Sequence, residues 1–508
     1  MEETILTTAN RYYIGNAQTN VEGRVEPSNE DEIVKILCAS CKAYVDAVEV
    51  SNGYATMSGQ VMFNCIYINE EGRINSSTSV SPLTLRLDDK RLEDGDKPIW
   101  KTEVVECRIK NATKEEATTT TIVEVCLDVI KCKPFSIFEA NNDTIKCKKE
   151  VVKIAKCVTN GNAKIVVNED ENCKQKIAKV LSNCVSVQIK DSFAGTGYFT
   201  VEGEVNLDLI ALCGESEEDR TIKTISDSIS FKEEIENEMS QKDDIILVSA
   251  FIKPEDVEIG HIEETESNMV SVNVPIYLEY VILRNDEMEI VKDAYSITNK
   301  CLLSYSDLET NDYMFTKSYR DRIDGNLTIE ENEPRIAKIM ATNCGNVSIV
   351  KCYCADGFVV VEGLANTCVV YETDEDEIPI SSVQVETPFS TKISCEYAKE
   401  GCELLVRADL CQTTGKAKKG KDIELDMEIC FTIDVFDQKV YTNLKDVELT
   451  EPYPKQDYAL QVYVAPKGST LWEIAKKLHT TEDIILNQNP NVVFPLEEST
   501  GIVYFVGN

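Results

Sequence analysis

Apolar and polar residues alternate along most of this chain, which is the pattern of β-strands with one buried and one solvated face. The clearest stretches of alternation are residues 119–129, 270–280 and 422–432. Strands with one buried and one solvated face occur mainly in antiparallel sheets. The pattern therefore predicts a mostly β protein with largely antiparallel sheets.

A second pattern occurs three times along the chain. In each copy, a short segment whose apolar residues recur at steps of three and four precedes an alternating strand that contains a glycine. Gly203 lies 144 residues after Gly59, and Gly363 lies 160 residues after Gly203. The segments before these glycines are 31–37, 175–181 and 334–340. Such self-similarity at long spacing is typical of repeated structural units.

The spacing of three and four predicts that each of these segments is a short helix. The acidic residues just before each segment favour a helix start, because carboxylates stabilise the positive helix end. The third segment is one residue out of phase with its strand, so we expect a single inserted residue between them. The glycine inside each strand predicts a bulge or the close approach of another backbone segment.

The repeats and the length of the chain together predict the domain organisation. A chain of 508 residues is too long for a single core. We expect three repeated β-rich domains, each carrying one short helix, at residues 1–145, 146–303 and 304–452. Residues 452–455, Pro-Tyr-Pro-Lys, are typical of a linker. The fold class is therefore mostly β with an α+β component.

Residues 456–508 follow a different pattern, which predicts a strand, two helices and a closing strand. Ser469 or Thr470 can cap the first helix, and its expected apolar face is Leu471, Ile474, Ala475 and Leu478. Thr481 with Asp483 begins the second helix, whose expected inner residues are Ile484 and Ile485. The tail is thus predicted to be a small βααβ domain.

Charge and cysteine content narrow the range of functions. The chain has 52 basic and 89 acidic residues, a net charge of -37, which disfavours nucleic acids and anionic membranes as partners. The first eight residues have neither a basic start nor an apolar stretch, so we expect no secretory signal. Because several of the 20 cysteines sit in apolar runs, we expect mostly reduced thiols in the cytoplasm.

Motifs for catalysis or metal binding are weak. The two histidines are His261 and His479, and we expect His479 to close a helix at the surface rather than to act in catalysis or bind a metal. Core packing is the favoured interpretation of Cys38-Ala39-Ser40-Cys41 over a redox pair, and of Cys352-Tyr353-Cys354 over a zinc site. Residues 416–421 hold the densest basic cluster, which we interpret as a solvated hairpin tip, with an acidic partner as the alternative. We therefore expect no catalytic residue, no metal and no cofactor.

The tail resembles the LysM family. The residues that carry the likeness are Gly468-x-Thr470-Leu471-Trp472-x-Ile474-Ala475 and Leu486-x-x-Asn489-Pro490-Asn491. The family's usual Gly-Asp-Thr is Gly468-Ser469-Thr470 here, and the usual Pro-Gly before the last strand is absent. In the family these turns border a groove that holds N-acetylglucosamine chains, and the resemblance implies a binding function. Trp472 is either a core residue or an interface anchor.

The three upstream copies resemble the SPOCS domain of sporulation proteins, through strands such as Val201-Glu202-Gly203-Glu204-Val205. Tandem copies before one LysM domain are similar to a family of spore coat morphogenetic proteins. That resemblance implies a non-enzymatic scaffold in the mother-cell cytoplasm, at the forespore surface. Its LysM domain would bind the coat ATPase, stage IV sporulation protein A, and its SPOCS-like domains would bind other coat proteins.

The candidate partner-binding residues lie on two turns of the tail: Lys467, Gly468, Ser469, Thr470, Leu471, Trp472, Asn489, Pro490 and Asn491. The alternative function is a peptidoglycan- or N-acetylglucosamine-binding protein of the cell wall or spore cortex, recognised through the same turns.

Overall fold

The computed structural model of the chain describes residues 5–28, 31–172, 176–214, 220–261, 269–331, 333–375, 378–396, 398–418, 420–454 and 459–505. This part of the chain is mostly β, as the alternation predicts, and both of its α-helices lie near the C-terminus. The strands before the tail fall into three successive sets, which we name units 1, 2 and 3.

The strands of each unit follow one another in the chain. Unit 1 contains β1 (Ile5–Val25), β2 (Ile33–Ser51), β3 (Tyr54–Asn69), β4 (Ile74–Asp88), β5 (Lys97–Ala112) and β6 (Ala117–Ser136). Unit 2 contains β7 (Ile145–Asn172), β8 (Ile177–Gly195), β9 (Tyr198–Cys213), β10 (Thr221–Glu236), β11 (Ile245–Ile252), β12 (Glu258–His261) and β13 (Met269–Ser296). Unit 3 contains β14 (Asn299–Thr328), β15 (Ile336–Ala355), β16 (Phe358–Thr373), β17 (Ile380–Ser394), β18 (Glu403–Lys418) and β19 (Asp422–Pro452).

The same strand order is present in all three units. In each, three consecutive strands form an antiparallel meander: β2-β3-β4, β8-β9-β10 and β15-β16-β17. The first and last strands of the unit pair in a second sheet, whose other edge is β5, β18 or, in unit 2, the successive short strands β11 and β12. Each unit therefore consists of two antiparallel sheets.

The two sheets of a unit pack face to face over an apolar core. In unit 1, Val61 and Phe63 from β3 share a buried cluster with Val123 and Val125 from β6, and all four are fully buried. Units 2 and 3 have equivalent cores. Burying a side chain of this size contributes about 1.5–3 kcal/mol relative to leaving it exposed, so the sheet pair is the main source of stability in each unit.

The short helix predicted for each copy is wrong. Segments 31–37 and 334–340 lead into β2 and β15, and the described part of 175–181 leads into β8; residue 175 lies outside the described residues. The Cys38–Cys41 motif is consequently on strand β2. The βααβ tail was expected to hold two further helices, and it does.

Consecutive β-bulges explain why strands carry a helical spacing. The register of β2 against β3 shifts between Ile33 and Lys35 and again between Ile36 and Cys38. The equivalent pairs of shifts occur at the start of β8 and of β15. Because each bulge adds one residue to one strand only, inward-facing residues recur at steps of three rather than two. The apolar spacing therefore imitates a helix although every segment is extended.

The predicted inserted residue and the strand glycines are both accounted for by bulges. The third copy has one register shift more than the others before its glycine, between Cys344 and Asn346, so Gly345 is the inserted residue. Gly59 lies opposite another shift, between Val45 and Ala47. A Cβ at Gly59 would lie 2.0 Å from the carbonyl oxygen of Tyr44, which is the close backbone approach that the sequence predicts.

Direct contacts join the units in a closed ring. Asn64 of unit 1 donates to the carbonyl of Leu181 in unit 2 at 3.0 Å. Thr224 of unit 2 exchanges hydrogen bonds with the backbone of Thr342 in unit 3. Lys35 closes the ring by donating to Ile380 O of unit 3 at 2.8 Å. Two apolar clusters also draw residues from all three units.

Two long two-stranded ribbons extend from this ring and form what we call the arm. They are the distal parts of β7 paired with β13 and of β14 paired with β19, and each of these four strands has 28 residues or more. Val152, Ile290 and Leu308 are buried between the two ribbons, as is Leu444 further along. The arm ends next to the C-terminal helices.

Candidate functional site: the C-terminal module

The C-terminal module has the predicted order of elements. It consists of β20 (Leu460–Ala465), α1 (Leu471–Leu478), α2 (Glu482–Gln488) and β21 (Thr500–Phe505). The two strands pair antiparallel, with Val462 opposite Val503. Residues 456–458 and 506–508 of the predicted tail domain, and residue 455 of the predicted linker, lie outside the described residues.

Threonine side chains begin both helices. Thr470 accepts a hydrogen bond from the backbone N–H of Glu473, and the Glu473 carboxylate accepts one from the N–H of Thr470 at 2.8 Å. This reciprocal capping box satisfies two backbone donors that a helix start leaves free. Thr481 caps α2 by accepting from Ile484 N. Thr470, rather than Ser469, is thus the cap of α1.

The inner faces of the helices are close to the prediction. Ile474, Ala475 and Leu478 are buried against Ala465 and Ile502 of the sheet. Of the two residues expected inside α2, Ile485 is fully buried and Ile484 is 38% exposed. An eight-residue α1 and a seven-residue α2 have room for few inward positions.

The turn after α2 is fixed by Asn489. Its side-chain amide donates to Val503 O at 2.8 Å, and its side-chain carbonyl accepts from Val503 N at 2.8 Å. Asn489 is buried, and its bonds to Val503 hold α2 to β21. Pro490 and Asn491, which follow it, are exposed.

The turn before α1 is fixed by the loop that precedes β21. The N–H of Gly468 donates to Leu496 O at 2.7 Å, and the N–H of Leu496 donates to Ser469 O at 3.0 Å. Gly468 has a φ of 85°, a region that glycine adopts without steric cost. The two places where the sequence departs from the LysM pattern are therefore in direct contact. Lys467 and Gly468 are exposed there, while Ser469, Thr470 and Leu471 are half-buried.

Trp472 attaches the module to the arm. Its indole N–H donates to Asp293 Oδ2 at 2.9 Å, and its ring meets Tyr295 edge-on with ring centroids 4.9 Å apart. Lys476, one turn later, forms an ion pair with the same Asp293 carboxylate at 2.6 Å. Only 7% of Trp472 is exposed. Trp472 is an interface anchor, but the interface is with β13 of the same chain.

The arm contributes two further contacts. The hydroxyl of Tyr295 donates to the carbonyl of Thr480 at 2.6 Å, and burial raises the pKa of this phenol. Tyr453, just after β19, stacks on His479 with ring centroids 3.7 Å apart. His479 ends α1 in the left-handed conformation, as expected for a helix-closing residue. Burial and then Lys477 lower its pKa, so the ring is neutral at pH 7.

Asp293 carries its charge because of these partners. Burial alone would raise the pKa of Asp293, but hydrogen bonds from Lys476 and Trp472 outweigh burial and lower it below 3.8. Since the folded pKa is depressed, the contribution of this carboxylate to docking is complete above pH 3.8 and is lost as the pH falls through the lowered pKa. The contribution of Asp293 to docking is therefore insensitive to pH near neutrality.

Asp293→Asn is expected to weaken docking of the module by about 1–2 kcal/mol, since a charge-assisted bond to Lys476 is lost from a partly solvated site. Hydrogen exchange of α1 should become faster. Asp286→Asn is the matched control, because Asp286 lies on the same strand and pairs with Lys156 near the surface. Equal protection of α1 in both variants would contradict the docking contact.

An apolar surface remains exposed on the other side of the module. Helices cover one face of the β20–β21 sheet, and the opposite face carries Leu460, Val462, Val464 and Phe505, which are 49–67% exposed. Val503, opposite Val462, is half-buried between them. We call these five side chains the outer face. Clustered exposed apolar residues mark interaction sites more often than scattered ones do.

The outer face and the docking contact were both missed by sequence reasoning, for different reasons. Leu460, Val462 and Val464 alternate with Gln461 and Tyr463, and this alternation is a usable signal for a face opposite the helices. Asp293 and Tyr295 lie 179 and 177 residues before Trp472 in the sequence, so no local pattern connects them with it.

The remaining candidate residues take structural positions. Cys38 contacts Cys368 and Cys41 contacts Cys107, so Cys38 and Cys41 do not pair with each other. Cys352 is exposed, whereas Cys354, two residues later on β15, is buried. These placements agree with strand packing rather than with redox or zinc chemistry. The side chain of His261 lies outside the described residues.

The basic cluster at 416–421 forms the hairpin tip that the sequence predicts, between β18 and β19. Lys418 pairs with Glu424, and Lys421 donates to the carbonyl of Glu331; Lys419 lies outside the described residues.

Sixteen of the described cysteines are free thiols. Cys411 and Cys430 on adjacent strands form a disulfide with their Cα atoms 6.2 Å apart. In the described part of the chain, no group of three or more His, Cys, Asp or Glu residues is arranged to hold a metal ion. None of the described helices has the length and apolar character needed to cross a bilayer.

The fold and the module define a β-rich protein built of three similar units with a small helical module at its end. Residues 335–416, from β15 to β18, match the family model described as "SipL, SPOCS domain". This match covers about half of unit 3, supports a likeness to the SipL family and suggests a sporulation-related protein. No curated protein matches the chain. Comparison with solved structures also gives no match.

Proposed function

We propose that this protein is a non-enzymatic scaffold of spore coat assembly whose C-terminal module is a LysM domain that binds a protein. The partner is a coat basement-layer ATPase like stage IV sporulation protein A. The observation that carries this proposal is the outer face, where four apolar side chains are exposed on a module otherwise fixed to the arm. An apolar face of this kind suits a protein partner better than a sugar, which needs polar hydrogen-bonding groups.

The three units support the scaffold part of the proposal. Residues 335–416 of unit 3 are similar to a sporulation-domain family, and units 1 and 2 have the same strand order as unit 3. We infer that all three are SPOCS-like domains, at residues 1–145, 146–303 and 304–452, and that they bind other coat proteins. The location that follows is the mother-cell side of the forespore surface, where the coat assembles.

The alternative is a glycan-binding LysM domain. The exposed residues Lys467, Gly468, Pro490 and Asn491 sit on the turns that border the sugar groove in that family. A pull-down with purified peptidoglycan distinguishes the two functions, because strong saturable binding would favour the glycan.

Val462→Glu is expected to weaken binding of the coat ATPase at least tenfold, because it places a charge in the centre of the outer face, and burying an unpaired charge costs several kcal/mol. Titration of the purified ATPase with full-length protein measures the effect. Val440→Glu is the matched control, since Val440 is 60% exposed, close to the 58% of Val462, and lies on the arm. If both variants bind like the wild type, the outer face is not the binding surface.

A further inference from the structure

Two cysteines from different units meet at the base of the arm. Cys132 lies on β6 of unit 1, and Cys157 lies on β7 of unit 2, and their thiols are hydrogen-bonded to each other. The apolar packing agrees: Cys157 packs on a cluster that contains Ile130, which precedes Cys132 by two residues on the same face of β6. The contact therefore belongs to the interface between units.

The two thiols have different surroundings. Cys132 is exposed and Cys157 is half-buried. The hydrogen bond from Cys157 lowers the pKa of Cys132 to about 7, with burial and Asp96 opposing the shift and Lys97 supporting it. The pKa of Cys157 is raised, first because it donates to Cys132 and then by burial. When Cys132 is protonated, the carbonyl of Thr159, at 3.9 Å, is an alternative acceptor for the Cys157 thiol.

We propose that Cys132 and Cys157 form a thiol–disulfide exchange site, at which a low-molecular-weight disulfide converts the pair into a disulfide that joins unit 1 to unit 2. An accessible thiolate is the attacking species in such exchange, and a nearby second thiol resolves the intermediate.

The small disulfide is the only co-reactant that the exchange needs, since it accepts both electrons from the two thiols. The Cys132 thiolate attacks one sulfur of the disulfide RSSR, forms a mixed disulfide with it and releases RS⁻. Cys157 then loses its proton and attacks the Cys132 sulfur, so the second RS⁻ leaves. Two protein thiols are oxidised, RSSR is reduced to two RSH, and the proton released by each cysteine ends on RSH.

Among the described cysteines, no other hydrogen-bonded pair combines an exposed thiol with a contact between units. Cys38 of unit 1 and Cys368 of unit 3 are hydrogen-bonded to each other, but both are buried. Cys41 and Cys107 are also hydrogen-bonded to each other, but both lie within unit 1 between β2 and β5. Cys147 lies on β7, ten residues before Cys157, and burial raises its pKa. It is half-buried like Cys157 and serves as a matched control on the same strand.

The test uses full-length protein with oxidised glutathione as the probe. Free thiols are blocked at intervals, and peptide mass spectrometry follows each cysteine. We expect a peptide that joins Cys132 to Cys157 to form before any other link. Between pH 6 and pH 8 the rate should rise about tenfold, the change in thiolate for a pKa of about 7, whereas a thiol of pKa 9 would rise about 90-fold.

Two variants separate the roles of the thiols. Cys157→Ser should leave glutathione on Cys132 as a lasting mixed disulfide, since no thiol resolves it, and Cys132→Ser should abolish the cross-link. Cys147→Ser should change neither result. The proposal is overturned if Cys132 reacts no faster than Cys147 or if Cys132 links to other cysteines. It is also overturned if the reaction rate of Cys132 rises about 90-fold between pH 6 and pH 8. The wild-type peptide map decides these points even if a variant fails to fold.

Discussion

Gly59→Ala is expected to destabilise unit 1 by about 3 kcal/mol or more, the upper range for overpacking a core. An alanine Cβ would lie 2.0 Å from Tyr44 O, 2.8 Å from Val45 Cα and 2.9 Å from Tyr44 C. All three atoms belong to the backbone, so no side chain can rotate away to make room. Thermal and urea unfolding, with hydrogen exchange on β2 and β3, measure the effect.

Gly260→Ala is the control for this substitution. Gly260 also lies within a strand, β12, and a Cβ there would have no atom within 4 Å. We expect a change within about 0.5 kcal/mol. Should the two alanine variants unfold alike, the bulge opposite Gly59 does not press the two backbones together.

Deletion of residues 456–508 is expected to abolish binding of the coat ATPase and to disperse the protein from the forespore surface. The module carries the outer face, and its removal takes away Val462 and its neighbours entirely. The three units should stay folded, because their cores contain no residue of the module. Co-purification with the ATPase and imaging of tagged protein in sporulating cells provide the readouts.

The control for the deletion is the stability of the truncated chain, which contains the three units. Removing the module exposes Tyr295, which otherwise packs on Trp472, so the end of the arm loses one contact surface. Circular dichroism and the melting transition of the units should be retained. Undiminished binding by a folded, truncated chain would place the ATPase site on the units instead of on the module.

The sequence predicted the class of the fold because alternation is a local property. Val123, Val125 and Leu127 of the alternating stretch 119–129 are buried as expected, and the capping residues of the module begin its helices. The three short helices were predicted wrongly because two β-bulges in succession give strands an apparent step of three. A bulge depends on the partner strand, such as β3 for β2, which no single segment reveals.

The candidate site was predicted only in part, because the roles of its residues also depend on contacts with distant parts of the chain. Trp472 was recognised as an anchor or a core residue from its helix, and it is both, because its partner Asp293 belongs to another strand. Asn489 is predicted to bind a partner, and its two-way bond with Val503, which holds the module together, was not anticipated. Residues whose roles depend on distant contacts require the structure, whereas exposed alternation such as Val462 and Val464 is already visible in the sequence.

Protein binding by the C-terminal module is tested most directly by a competition titration. Full-length protein is titrated into the purified coat ATPase, with and without an excess of soluble N-acetylglucosamine oligomers, and the Val462→Glu chain is titrated in parallel. We expect saturable binding that the oligomers leave unchanged and that Val462→Glu weakens at least tenfold. Binding to the oligomers together with no binding to the ATPase would contradict the account.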